Sequence, residues 1–141
     1  EVHLTILRAN YGEAAALLGL SAAEHGVDSL AIPTDAAACA KALAQKVDTV
    51  VVLSGAEDLV TDGTTLHSVS GGSDFMRSVT GAGCMLSVLC GAFAAVQPQQ
   101  PLNAAVHAAA FWKACAEKAE PLAHGPASFR GALLDAAAQI L

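Results

Sequence analysis

Three features of the sequence predict an α/β layer fold. Val47–Leu53 is a near-continuous β-branched run, the pattern of a strand buried on both faces. Asp58–Val69 reads as a hairpin, with Asp62-Gly63 supplying the turn residues that accept positive φ. Alanine-rich stretches of helical character (Ala14–Ala16, Ala36–Ala38, Ala108–Ala110, Ala136–Ala138) surround these strands.

The remaining elements follow in order. Val2–Leu7 is predicted as a short strand, followed by Arg8–Glu13 and a small helix ending near Gly19. Residues 21–33 read as loop, after which Thr34 or Asp35 caps a helix running to about Lys46. Ser70–Ser78 is a glycine-bearing loop leading to the turn Thr80-Gly81-Ala82-Gly83. Three helices come next, over about 82–96, 102–119 and 128–140, punctuated by Pro98, Pro101, Pro121 and Gly125-Pro126. Ala82–Val96 is uncharged and broken only by Ser87. It falls short of the roughly 20 residues that span a bilayer and is read as a helix buried on all sides, with no membrane partner expected. The order is βααβ, hairpin, ααα, without internal repeats. Only two candidate central strands and one hairpin are present, a small sheet for a strand covered on both faces. The sequence therefore looks like the second half of a larger domain.

The chain's 141 residues bound it to one domain with room for a real core. Apolar residues make up 54% and charged residues 14%, so the chain buries much of itself or meets a partner. The net charge of −6, with no Lys/Arg cluster, argues against nucleic-acid binding. Without like-charge blocks or polar low-complexity segments, a disordered tail is not expected. Cys39, Cys84, Cys90 and Cys115 form no C-x-x-C pair and fall in predicted helices, which suits reduced thiols in the cytoplasm. The opening Glu1-Val-His carries no leader pattern.

The most informative stretch is Ser78–Leu89. Its Thr-Gly-Ala-Gly turn opens directly onto the uncharged helix and puts the Cys84 thiol in the first helical turn. Glycines let backbone N–H groups converge and the helix end adds a positive partial charge, so this turn can hold an anion. A G-x-G before a helix is a weak signal alone. Upstream, Asn10-x-x-Glu13 is nearly a capping box. Arg8 follows a strand at the sheet edge where α/β proteins bind ligands. Ser54-Gly55 reads as a strand-end turn, Asp58 as a loop cap and Asp62 as a hairpin turn. Pro126 or Ser128 is expected to fix the start of the last helix. His3, His25, His67, His107 and His124 show no metal spacing.

Taken together these residues resemble the hydroxyethylthiazole kinases of thiamin salvage, within the ribokinase-like superfamily. The likeness runs through Ile6–Glu13, Gly26-Val-Asp28, Val51–Gly63, Gly71-Gly72, Thr80–Cys84, Trp112-Lys113 and Gly125–Phe129 with Leu134-Asp135. Cys84 is the sharpest discriminator, because most of the superfamily carries Asp there. Two departures stand out: the family's R-G-N is Arg8-Ala9-Asn10, and its T-G is Ser54-Gly55. The resemblance implies a partial ribokinase-like sheet with flanking helices and a β-hairpin, in which residues 1–141 form the C-terminal part of one kinase domain. Family chains are roughly twice this long, so a truncated, cleaved or partly recorded chain is expected. The implied activity is ATP- and Mg²⁺-dependent phosphorylation of 4-methyl-5-(2-hydroxyethyl)thiazole. By the same resemblance, the amides of Ala82, Gly83 and Cys84 cradle the transferring phosphoryl group, and Cys84 stands beside the substrate hydroxyl. Arg8 and Ser54 meet ATP, Gly81 contacts substrate, and Glu13 with Asn10 serves the Mg²⁺. A cytoplasmic homotrimer with active sites between subunits is implied as well.

Other readings remain open from the sequence. One is a kinase for another small primary alcohol. A second is a thiol-dependent enzyme with Cys84 as nucleophile and His107 or His124 as its partner. A third is a non-catalytic remnant.

Overall fold

The computed structural model describes residues 3–20 and 35–140. The predicted loop over 21–33, Thr34 and the Gly26-Val-Asp28 motif lie outside the described residues. Strands β1 (Ile6–Asn10) and β2 (Val50–Ser54) run parallel, in register from Ile6 opposite Val50 to Asn10 opposite Ser54. β3 (Asp58–Thr61) and β4 (Leu66–Val69) add antiparallel neighbours, giving a four-stranded mixed sheet in the order β1-β2-β3-β4. The β3–β4 turn is set by Asp62, whose Oδ1 accepts the Thr64 and Thr65 amides, and by Gly63 at φ 92°.

Alternation along β2 distributes its valines to two cores. Val51 and Leu53 join Cys39, Ala40 and Leu43 under α1 (Tyr11–Leu18) and α2 (Ala36–Val47). Val50 and Val52 join Leu86, Cys90, Trp112, Phe129 and Leu133 under α3 (Ala82–Val96), α4 (Pro101–Ala119) and α5 (Pro126–Ile140). The result is an α/β/α sandwich, the predicted class and element order. β2 thus finds cover on both faces, and neighbours on both edges, within this chain.

The structure corrects several expectations. The first strand forms at Ile6–Asn10 instead of Val2–Leu7, because pairing with β2 draws Arg8-Ala-Asn10 into the parallel ladder; Arg8 lies inside the strand and does not follow it. The second strand begins at Val50 instead of Val47, because α2 runs on through Val47 and ends at Asp48 in the left-handed region, φ 49°. The predicted loop 70–78 contains a 3₁₀ turn at Asp74–Ser78, with the Ser73 hydroxyl accepting the Phe75 amide. The last two helices start at Pro101 and Pro126, each with proline in the first turn where its missing N–H costs nothing. α3 is not buried on all sides. Ala82, Leu86 and Cys90 face the core, while Val88 is 73% and Val96 81% exposed, because only one side of the helix meets β1 and α4.

No helix among the described residues is long and apolar enough to cross a membrane.

Candidate functional site

The carboxyl ends of the parallel strands gather the site. Arg8 shares the face of β1 that looks towards α3, and its Nη1 donates to Ser54 Oγ at 3.0 Å. Its Nη2 stands 3.6 Å from Glu13 Oε2, and the side chain is 13% exposed. The Nε is buried without a partner among the described residues, so the guanidinium retains an unmet donor. Asn10 and Glu13 complete a full capping box: Asn10 Oδ1 accepts the Glu13 amide and Glu13 Oε2 accepts the Asn10 amide, both at 2.8 Å. Asn10 therefore holds Glu13 in place. Asn10→Ala should lower stability by about 1 kcal/mol in urea unfolding.

The turn before α3 has the geometry its glycines allow. Gly81 sits at φ 93° as the N-cap, with no side-chain cap above it. Met85 makes the first helical bond, to Gly81 O. The Ala82 amide donates to Val79 O at 3.2 Å and so leaves the three-amide cradle expected from the sequence; a tight turn consumes it. The Gly83 and Cys84 amides have no backbone acceptor among the described residues. Arg8 packs against Gly83: a Cβ there would come within 2.7 Å of Nη1 and 3.0 Å of Cζ. Gly83 is required here by close approach. A guanidinium thus lies against the first turn of a helix whose Gly83 and Cys84 amides have, among the described residues, no backbone acceptor, a combination of groups suited to phosphate.

A cleft of about 390 Å³ adjoins this point, with Ser54, Gly83, Trp112 and Lys113 among its walls. Trp112 Nε1 donates to Ala82 O at 3.2 Å and so anchors the first turn of α3. Lys113 is buried and paired with Asp58 at 3.5 Å. Asp58 is the predicted loop cap, accepting the Gly55 amide at 2.9 Å, but it also carries this ion pair. Burial pushes its carboxyl above the ordinary carboxylate range, against the opposing pull of the Gly55 amide and the Lys113 ammonium.

Cys84 is exposed, and the cleft is lined without it. Neither His107 nor His124 is hydrogen-bonded to it; His124 instead gives its amide to Ser128 Oγ, which fixes the start of α5. Among the described residues, the thiol-nucleophile reading thus has no histidine hydrogen-bonded to Cys84. Cys39, Cys90 and Cys115 are free and buried, and burial pushes the Cys90 thiol up to about 11, which leaves it inert. Among the described residues, no group of three or more His, Cys, Asp or Glu side chains could hold a metal ion.

A four-stranded mixed sheet with helices on both faces, and a helix start beside the carboxyl ends of its parallel strands, defines an α/β layered protein. More particularly, the chain belongs to the hydroxyethylthiazole kinase family, whose profile matches residues 1–141. A hydroxyethylthiazole kinase of Chloroflexus aurantiacus is 42% identical over 136 residues, which is 96% of this chain and 50% of the relative. One from Gemmatimonas aurantiaca is 46% identical over 136 residues, covering 96% and 48%. Among solved structures, the hydroxyethylthiazole kinase protein of Pyrococcus horikoshii superposes with a TM-score of 0.82 at 34% identity, over 96% of this chain and 49% of that one. A hypothetical protein of Streptococcus mutans, 17% identical with a TM-score of 0.71, shares the fold over 95% and 46% of the two chains. The fold is ribokinase-like, and the chain spans about half the length of the curated relatives it matches.

Proposed function

We propose that residues 1–141 form the C-terminal part of a single ribokinase-like domain that transfers the γ-phosphoryl group of ATP to the hydroxyl of 4-methyl-5-(2-hydroxyethyl)thiazole, a step of thiamin salvage. The observation that carries this reading is the Arg8 guanidinium lying over Gly83 with a hydrogen bond to Ser54. Family membership supports the choice of reaction. In this reading Arg8 and Ser54 meet the ATP phosphates, and the Gly83 and Cys84 amides donate to the transferring group as its charge redistributes. Ala82 holds the turn's shape, and the left-handed backbone of Gly81 brings the chain close to the substrate. The alcohol oxygen bonds to the γ-phosphorus, the bond to the bridging oxygen breaks, and ADP leaves. Cys84 stands beside that hydroxyl as base or hydrogen-bond partner.

Mg²⁺ would supply charge neutralisation between the phosphates. The donor set fits an ion brought in with the nucleotide: Glu13 is half exposed, and Mg²⁺ needs only one or two carboxylates beside water and phosphate. Asn10 contributes by fixing Glu13, since its own side-chain oxygen is engaged in the cap. The reading extends to a cytoplasmic homotrimer with active sites between subunits. Free thiols are consistent with a reducing compartment, and the uncharged exposed side of α3, with Val88 and Val96, is the kind of surface that an interface covers.

The test is mass-spectrometric detection of ADP and the thiazole phosphate, with other small primary alcohols as competitors. Cys84→Ala should lower turnover yet leave measurable activity, because the amides and Arg8 remain. Cys84→Asp should equal or exceed the parent, since a carboxylate is charged at neutral pH. A covalent thiol mechanism gives the opposite pattern, with Cys84→Asp inactive and an adduct on Cys84 during turnover.

A further inference from the structure

The proposed chemistry leaves the Trp112-Lys113 pair without a part for its charge. Lys113 is 5% exposed, and its Nζ donates to Gly55 O at 3.2 Å and Ala56 O at 2.8 Å beside Asp58 Oδ1 at 3.5 Å. An ammonium has three donors. All three are matched by acceptors from one short segment, the β2–β3 turn and the first residue of β3. The stem of the same side chain packs on a second loop: a Cβ on Gly72, at φ 93°, would lie 2.8 Å from Lys113 Cδ. One helical turn further along α4, on the same face, Glu117 Oε1 accepts the Gly72 amide at 3.0 Å. The two loops wall adjoining clefts of about 390 and 370 Å³, and Gly55, Ala56 and Lys113 line both.

We infer that Lys113 is a positioning residue that ties the β2–β3 turn to the Gly71-Gly72 loop and so sets the width of the nucleotide-binding cleft. Its ammonium serves backbone carbonyls and a buried carboxylate, leaving phosphate to Arg8. The inference deepens the kinase reading and rests on it for the identity of the ligand. The geometry that ties the two loops stands apart from that reading.

The decisive experiment pairs Lys113→Met with Asp58→Asn. The double variant removes the donor without stranding a charge, and the side-chain oxygen of the introduced asparagine still accepts the Gly55 amide. Amide hydrogen exchange should quicken together at residues 55–56 and 71–72. The KM for MgATP should rise about ten-fold, the size expected for losing charged hydrogen bonds that hold a binding wall, with kcat and the thiazole alcohol KM nearly unchanged. A variant that merely weakened the fold would speed exchange throughout and leave this split of KM against kcat absent. Glu117→Ala, at an exposed position, keeps the fold and should loosen residues 71–72 and raise the MgATP KM in the same direction. Exchange that quickens only at 55–58, or an unaltered MgATP KM in both variants, overturns the inference. If MgATP fails to raise the melting temperature of the parent protein, the nucleotide reading fails by itself, and the exchange pattern still decides whether Lys113 joins the loops.

Discussion

Replacing Gly83 with alanine should weaken MgATP binding about ten- to a hundred-fold while leaving the melting temperature at or above that of the parent protein. The new Cβ would lie 2.7 Å from Arg8 Nη1. Such a distance is intolerable, but the obstructing atom is the end of a flexible side chain, so the guanidinium swings away and the backbone stays. Losing one charge-assisted phosphate contact costs about 1.5–3 kcal/mol of binding, the source of the fold-change. Stability moves the other way, because alanine inside a helix is favoured over glycine by about 0.5–1 kcal/mol. Isothermal titration with MgATP and a thermal melt check the two halves separately. A variant that binds MgATP normally would remove Arg8 from the phosphate site.

The second large effect is on stability. Lys113→Met alone should destabilise the fold by about 3–5 kcal/mol, since it leaves Asp58 buried without its countercharge. The sign of the pH dependence follows from the Asp58 carboxyl, which burial already raises above its ordinary range. A raised acid binds its proton more tightly folded than unfolded. Its stabilising contribution is complete below the ordinary carboxylate range and is lost as pH rises through the raised value. Without the lowering influence of Lys113 that value climbs further. Lys113→Met should therefore be weakest at neutral pH and recover part of its loss as pH falls through the raised value. Asp58→Asn in the same background should flatten the curve and restore most of the stability. Urea unfolding at several pH values measures both, and a loss independent of pH would assign the damage to packing.

Local patterns are legible in the sequence, and contacts between distant segments are not. The capping box of Asn10 and Glu13 needs only a three-residue spacing, and the Asp62-Gly63 turn only a dipeptide. The buried β2 strand announces itself by composition. Strand limits slip, because they depend on a partner: β1 extends to Asn10 only because Ser54 lies opposite. The uncharged α3 has no polar side to mark which way it faces, so the exposure of Val88 and Val96 carries no signal. Arg8, Ser54, Gly83 and Glu13 stand out through their motifs, and the structure brings them into one cluster. The loss of the Ala82 amide to Val79 is hidden, as it depends on the pitch of one turn. Lys113 reaches its carbonyl partners across 57 and 58 residues of chain, and no local pattern encodes such a contact. Its only trace in the sequence is the pair Trp112-Lys113.

Trp112 is the chain's single tryptophan, and its indole N–H is bonded to the carbonyl of Ala82 inside a wall of the cleft. Every photon of intrinsic indole emission therefore originates at the turn that leads into α3. Residues 1–141 thus carry their own optical gauge at that turn, with no label to attach. Stopped-flow fluorescence can then follow the arrival of a ligand at this turn in real time.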